Sequence, residues 1–439
     1  LASKEAGCIN PETGKLAACN VRVYGFFPTT FITNIAAVAG VLAAFMLPVI
    51  GAIIDYTEHR QTVGRVVAFL IWAIQTTQIA TIEKTWFHMA ILQSIVVALF
   101  EVHYCLAVSY LPDIARYEVN HDTMTRFNRY FFTMQYSGQT TFLIITLLVS
   151  WWFELTSVQN AQLGQSACSF VVLICYTRAW TKLPAARGRR KLPEGRSLLL
   201  EGFRQNYRTF VEINRNPNKT LKWFFLTVII AESGGTSLLP TVVSYLSRVY
   251  GYGSLDVGLT FLLAVIFAIP GAIVSAYLAK KTSPKTSLRI DFVCTFVVTV
   301  IAFFVLRKEN PRFLGYLWGL MWGFCLGWFY SGEQLFYTLC VPPDQEAELA
   351  GFFVYCTIIM TWVPSLLYSI IVEKGKDEQY GLIPICILQL LSMISISMIP
   401  EWDDVLEGSK LRLSAQASQE RDGTQPINSS LQEGVDGGH

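Results

Sequence analysis

The sequence predicts an all-α, polytopic membrane protein, and three observations carry that reading. Only 15% of the 439 residues are charged and 52% are hydrophobic, whereas soluble domains run at about 25% charged. Mean hydropathy is +0.41. The charge deficit is concentrated in long uncharged runs of bilayer length, since a hydrocarbon core about 30 Å thick needs roughly 20 apolar residues in a helix rising about 1.5 Å per residue. With no water in that core, each span must satisfy its own backbone as a helix.

Eleven runs meet that window, at residues 31–54, 64–82, 89–111, 130–153, 161–180, 223–246, 257–279, 288–306, 313–338, 349–372 and 380–400. The first has no Asp, Glu, Lys or Arg and stops at Asp55. The second opens on Arg65, and the third carries Glu101 and His103 in its interior. The fourth is again uncharged, with Gln135 and Gln139 four apart and so on one face. The sixth contains Glu232 beside Gly234 and Gly235, with Pro240 beyond. The eighth opens on Arg289 and Asp291, expected as an interfacial pair or a solvated charge. The ninth contains Glu333, and the last two are uncharged.

Lysine and arginine placement orients the spans. With the loop after the first span on the cytoplasmic side, 24 of the 34 basic residues fall on that side. The expected organisation is a lumenal loop at 1–30, five spans over 31–180, a basic cytoplasmic linker at 181–222, six spans over 223–400 and a disordered cytoplasmic tail at 401–439. The linker is expected to be solvated; attraction to anionic lipid headgroups is compatible with that. Cys8 and Cys19 share the lumenal segment, where a disulfide is plausible. The other eight cysteines lie in or beside spans, as small hydrophobes. Asn218-Lys219-Thr220 and Asn428-Ser429-Ser430 lie on the cytoplasmic side and should carry no glycan. The chain opens on Leu1 without a signal-peptide pattern and reads as a processed product or a fragment.

Two stretches echo each other, Pro48-Val-Ile-Gly51-Ala-Ile-Ile-Asp55 before Arg60 and Arg65, and Pro270-Gly271-Ala-Ile-Val before Lys280, Lys281 and Lys285. Internal repeats of this kind are typical of secondary transporters. The first copy resembles the signature loop of the major facilitator superfamily, a Gly before an Asp and then a basic turn. Here Asp55 is followed by Tyr-Thr-Glu-His-Arg instead of the basic-Gly-basic run. A second motif, residues 341–353 (Val-Pro-Pro-Asp-Gln-Glu-Ala-Glu-Leu-Ala-Gly-Phe-Phe) followed by Trp362-Val-Pro364, resembles the autophagy-related vacuolar amino-acid effluxer branch of that superfamily. Tyr110-Leu-Pro112 resembles it too. The same motif is also a well-made helix start, with Asp344 as N-cap and Glu346 and Glu348 in the first turn. The resemblance covers residues 25–400. It implies two six-helix bundles, with eleven of twelve helices present and a first helix missing. It also implies an inward gate built from Gly51, Asp55 and Arg60 against Asp344, Glu346 and Glu348.

Charge at membrane depth is costly, roughly 2.5–3.5 kcal/mol on insertion scales. Glu101, Glu232 and Glu333 are therefore interhelical hydrogen-bonded contacts, interfacial groups (Glu333 above all, near the cytoplasmic end of its span) or proton- and substrate-handling groups, and His103, Gln135 and Gln139 join them as candidates. Glu232 leads, because Gly234 and Gly235 weaken the helix beside it, and an interrupted helix would offer backbone groups to a zwitterion.

Absences narrow the function. No phosphate-binding Gly-Lys-Ser/Thr loop suggests a nucleotide-driven pump. No hydrolase motif supports an enzyme. No filter-like loop suggests a channel. Cysteine and histidine spacings suggest neither metal nor cofactor, and a net charge of +2 is too balanced for a nucleic-acid binder. The expectation is a transporter in the vacuole membrane, with its tail cytoplasmic, moving amino acids towards the cytosol by alternating access. Protons are a possible co-substrate and membrane lipid the surrounding partner. A carrier of another small metabolite and a transport-inactive membrane scaffold are the alternatives.

Overall fold

A computed structural model describes residues 22–27, 30–110, 121–183, 192, 195–215, 219–307, 310–340, 346–375 and 377–402; for 121–132 and 346–348 it describes the backbone alone. The expectations for Cys8, Cys19, Asn218, Asn428, Asp344 and the tail beyond Trp402 concern residues outside those described.

Helix occupies every expected span. α1 (Phe31–Tyr56), α2 (Arg60–Gln78), α3 (Trp86–Val108), α4 (His121–Trp152) and α5 (Ser157–Lys182) form the first half. After α6 (Leu198–Arg215), the second half consists of α7 (Thr220–Val249), α8 (Ser254–Lys281), α9 (Pro284–Val305), α10 (Phe313–Cys340), α11 (Glu346–Ile358), α12 (Trp362–Glu373) and α13 (Ile383–Ser397). A 3₁₀ turn, Glu378–Leu382, leads into α13. Seven spans among the described residues qualify as membrane-crossing on length and composition alone. Those that fall short, α2, α4, α5 and α10, are diluted by polar side chains or by Trp, Tyr and Gly.

Local sequence sets the helix starts. Thr156 and Gln159 make a reciprocal capping box for α5. The Ser283 hydroxyl accepts the Thr286 N–H at 3.1 Å ahead of Pro284 in the first turn of α9. The outward faces stay apolar, with Phe45, Phe69, Ile145, Ile273 and Phe304 exposed to where lipid would lie.

In the first half α1 packs on α3, and α2 on α3 and α5. In the second, α8 packs on α10, α7 on α13, and α9 on α10 and α13. The closest seam is α8 against α10. A Cβ added at Gly323 or Gly327 would strike the backbone of Ala264 or Ala268, so only glycine permits the approach. The halves meet where α1 touches α7, α11 and α12, and where α4 touches α8.

Two expectations are corrected. The stretch 181–222 is not solely a solvated linker: α6 is a folded helix with Glu201, Gly202, Gln205, Thr209 and Ile213 buried, because those residues recur at helical spacing on one face. And α7 runs unbroken through Gly234 and Gly235. Those glycines serve packing, Gly234 against Leu388 and Gly235 against Leu326 and Phe329. The interruption falls in the tenth span instead, between α11 and α12. There the Ser237 hydroxyl donates to the Thr361 carbonyl at 2.8 Å, and Gly40 of α1 abuts Trp362.

Candidate functional site

At the junction of the halves, α7 and α10 bring Glu232 and Glu333 together. They are 6% and 2% exposed and close enough to act electrostatically on each other, and Glu333 Oε1 has no hydrogen-bond partner of normal geometry. Burying one carboxylate is costly and burying two side by side more so, so the pair holds at least one proton. The Thr236 hydroxyl, one turn beyond Glu232, donates to Glu232 Oε2 at 3.3 Å.

Around this pair stand groups from both halves. Glu101 and Tyr104 on α3, Tyr136 on α4 and Tyr330 on α10 all lie within electrostatic reach of Glu232. Tyr104 follows Glu101 by three residues and Tyr330 precedes Glu333 by three, so each tyrosine shares its acid's helix face. No lysine or arginine among the described residues acts on the three carboxyls. The cluster can hold a proton and attract a cationic group, with phenols and a threonine hydroxyl as further hydrogen-bonding partners.

The other expected site residues lie elsewhere. His103 Nε2 accepts the Trp180 indole N–H at 2.9 Å, and its ring stacks on Tyr176 at 4.0 Å, between α3 and α5. Gln135 and Gln139 are exposed on α4; the α4 side chain that reaches the cluster is Tyr136 between them in sequence. Asp291 is a correction: it is neither a pair with Arg289 nor solvated, but 0% exposed within α9. Neither of its oxygens has a hydrogen-bond partner of normal geometry; its hydroxyl neighbour is Thr295, one turn on.

On the face where α1 ends and α2 begins, a cleft is lined by Gly51 and Asp55 of α1, Cys105 of α3, Gln205 of α6, and Gly351 and Tyr355 of α11. Gln205 Nε2 donates to Asp55 Oδ2 at 2.7 Å. Arg60 is 1% exposed, its guanidinium 3.4 Å above the Tyr110 ring. Glu346 and Glu348 lie in the first turn of α11; their side chains, like Asp344, lie outside the described residues.

The opposite face is tied. Glu373, at the end of α12, accepts the Phe27 N–H and the Thr30 hydroxyl at 2.7 Å each, just before α1. Arg22 adds an ion pair at 3.1 Å. Beside it, Arg248 of α7 pairs with Glu378 at 2.5 Å.

The family model described as vacuole effluxer Atg22 like matches residues 1–403. The chain belongs to that family. No curated protein sequence matches it. Among solved structures, the nucleoside transporter NupG is similar at 14% identity and TM-score 0.59, covering 85% of this chain and 92% of its own. The human organic anion transporter MFSD10 is similar at 13% identity and TM-score 0.56, covering 83% of both chains. The xylose transporter XylE from E. coli is similar at 11% identity and TM-score 0.56, covering 85% and 98%. At such identities the likeness concerns the fold, which is that of the major facilitator superfamily.

Family and fold together make this Atg22-like protein a multi-pass secondary transporter. The acidic cluster then joins side chains of α3 and α4 in the first half to those of α7 and α10 in the second. Sequence reasoning found its three carboxyls, because charge within a span is conspicuous. It missed Tyr104, Tyr136, Tyr330 and Thr236. The signal available was their spacing of three or four residues from an acid, which serves Tyr104, Tyr330 and Thr236 but not Tyr136.

Proposed function

We propose that this Atg22-like transporter carries amino acids out of the vacuole lumen into the cytosol by alternating access. The face bearing Asp55 is cytosolic and the face bearing Glu373 lumenal. The observation that carries the reading is the buried Glu232–Glu333 pair, faced by Glu101 from the other bundle, in a chain of the vacuole effluxer family. An amino acid's ammonium group suits a carboxyl cluster without a competing cation. Its carboxylate would find donors in the phenols of Tyr104, Tyr136 and Tyr330. A proton held by the carboxyl cluster is displaced or released as the ammonium arrives, which couples flux to pH. Arg22, Glu373, Arg248 and Glu378 close the lumenal side, while Gly51 and Asp55 line the cytosolic cleft with the start of α11.

Amino-acid counterflow in proteoliposomes tests this. Saturable exchange of labelled Leu, Ile or Tyr at two pH values, weakened by Glu232→Gln, is the expected result. Exchange of a sugar or nucleoside with none of any amino acid would replace the substrate and leave the transporter assignment standing. A folded, inserted protein that exchanges nothing would favour a scaffold role.

A further inference from the structure

The helix α6 belongs to neither set of spans, and its surface is divided in a way the transport cycle does not use. At about 100° per residue, Leu199, Leu200, Phe203, Tyr207 and Phe210 fall on one stripe about 100° wide. All five are exposed, from 37% at Phe203 to 69% at Tyr207. The protein-facing stripe, Glu201, Gly202, Gln205, Thr209 and Ile213, is buried and lies across the helix from it. A third stripe carries Arg204 and Arg208, with Arg196 just ahead of the helix. Their side chains are 57%, 50% and 42% exposed, although all three converge on the buried carboxylate of Glu201. Three guanidiniums against one carboxylate leave two positive charges over on this edge.

The depth of α6 is set by its contact with α1. Gly202 sits directly on the Pro48 carbonyl and beside Ala52, so closely that a Cβ would collide with the backbone. Pro48 and Ala52 are eight and four residues before the end of α1 at Tyr56, about 6–12 Å along the axis at 1.5 Å per residue. An interfacial amphipathic helix buries its apolar face about 5–10 Å into the boundary between headgroups and acyl chains. With the buried stripe held against α1, the apolar stripe points outward into the chains and the arginines lie on the edge between the two, towards the headgroups.

We propose that α6 lies in the plane of the bilayer and binds anionic phospholipid headgroups through Arg196, Arg204 and Arg208, with its apolar stripe among the acyl chains. Because the inner face of the same helix holds α1 through Gly202 and the Gln205–Asp55 bond, bound anionic lipid fixes α6 against the end of α1 that lines the cleft. The assignment rests on the surface of α6 and is independent of the transported solute.

The full chain is placed in nanodiscs of phosphatidylcholine alone or with phosphatidylserine. Hydrogen–deuterium exchange over residues 198–215 and lipid retention by native mass spectrometry are then read. Phosphatidylserine should slow exchange across α6 and be retained in preference to phosphatidylcholine. Arg204→Gln with Arg208→Gln should cut that retention on the order of tenfold. Leu200→Ser with Phe210→Ser should speed α6 exchange in both lipids, leaving exchange in the spans unchanged. Identical α6 exchange and retention in the two lipids would overturn the proposal using the unaltered protein, whatever the variants do. So would α6 protection that persists in detergent and rises with protein concentration, which would put a second copy of the chain on the stripe.

Discussion

Glu232 and Glu333 are buried side by side between α7 and α10, with the Thr236 hydroxyl donating to Glu232 Oε2 at 3.3 Å. Two carboxyls buried side by side, with no basic side chain acting on them among the described residues, must hold at least one proton. Glu232→Gln keeps the shape and an acceptor for the Thr236 hydroxyl but cannot ionise. Flux should fall on the order of tenfold and lose its dependence on a pH gradient, while the purified protein stays folded. Glu333→Gln should do the same, and the double variant should be little worse than either single one, as for groups that act as a unit. Counterflow at two pH values decides: pH-dependent exchange surviving in Glu232→Gln removes the coupling role.

Asp291 calls for the opposite expectation. Its carboxyl is fully buried near Cys294 and Cys325, without a hydrogen-bond partner of normal geometry. An unsatisfied buried polar group is destabilising by about 1–3 kcal/mol. Asp291→Asn supplies a neutral side chain of the same size that can donate to Thr295. It should raise thermal stability by about 1 kcal/mol with flux retained. Thermal unfolding in detergent measures the first and counterflow the second; a stable variant without flux would make Asp291 part of the transport path.

How much of this was legible in the sequence depended on what kind of signal each feature carried. The spans were legible because apolar runs of bilayer length have few other uses, and three carboxyls stood out against them. Asp291 was misplaced because α9 starts at Pro284, four residues before the expected span; that shift of about 6 Å carries it from the membrane edge to the interior. The apolar spacing at 199, 200, 203, 207 and 210 was present in the sequence but lay among twelve basic residues between Arg178 and Lys222, so charge hid the helix. Tyr136 could not have been singled out. It is one of 19 tyrosines, and only its nearness to Glu232 and Tyr330 in the folded chain gives it a role.

Two glycines separate packing from movement. Gly327 meets the backbone of Ala268, so Gly327→Leu should cost about 3 kcal/mol or more and abolish monodisperse protein. Gly51 has nothing within 4 Å of where its Cβ would be and faces the cleft. Gly51→Ala should be neutral or stabilising by up to about 1 kcal/mol, since alanine is the better helix former. Gly51→Leu should fold normally yet slow transport if α11 must approach α1 there. Size-exclusion profiles with counterflow on the same samples tell the two positions apart, and normal flux in Gly51→Leu would mean that the cleft need not close at this point.

On the opposite face, Glu373 joins the start of α1 to the end of α12, and so one bundle to the other. Its oxygens hold the Phe27 N–H, the Thr30 hydroxyl and Arg22. Arg22 is 48% exposed, so solvent screens that pair and most of the strength lies in the two hydrogen bonds. Glu373→Ala should make local opening easier by about 2–3 kcal/mol, since hydrogen bonds to a charged group are worth about 1.5–3 kcal/mol each and water replaces part of the loss. Exchange over residues 22–27 should accelerate correspondingly, with exchange in α8 and α10 unaffected. Arg22→Gln should give a much smaller change. Equal effects from the two variants would mean that the ion pair, not the hydrogen bonds, closes this face.

Asp55 and Gln205 are 150 residues apart in sequence yet share a 2.7 Å hydrogen bond. Asp55 has further partners in its surroundings, so removing it disturbs more than this bond, whereas Gln205→Leu removes only the donor from α6. Both Asp55→Ala and Gln205→Leu should change the transport rate more than the amount of inserted protein, Asp55→Ala by the larger factor. If they act through the same contact, the double variant should match Asp55→Ala alone, with a coupling energy of about 1–3 kcal/mol in the cycle. Additive effects would separate the gate from α6 and leave Gln205 as a packing residue. Parallel loss of inserted protein and flux in Asp55→Ala would instead assign Asp55 to folding, because a gating residue changes the rate of the molecules that remain and not their number.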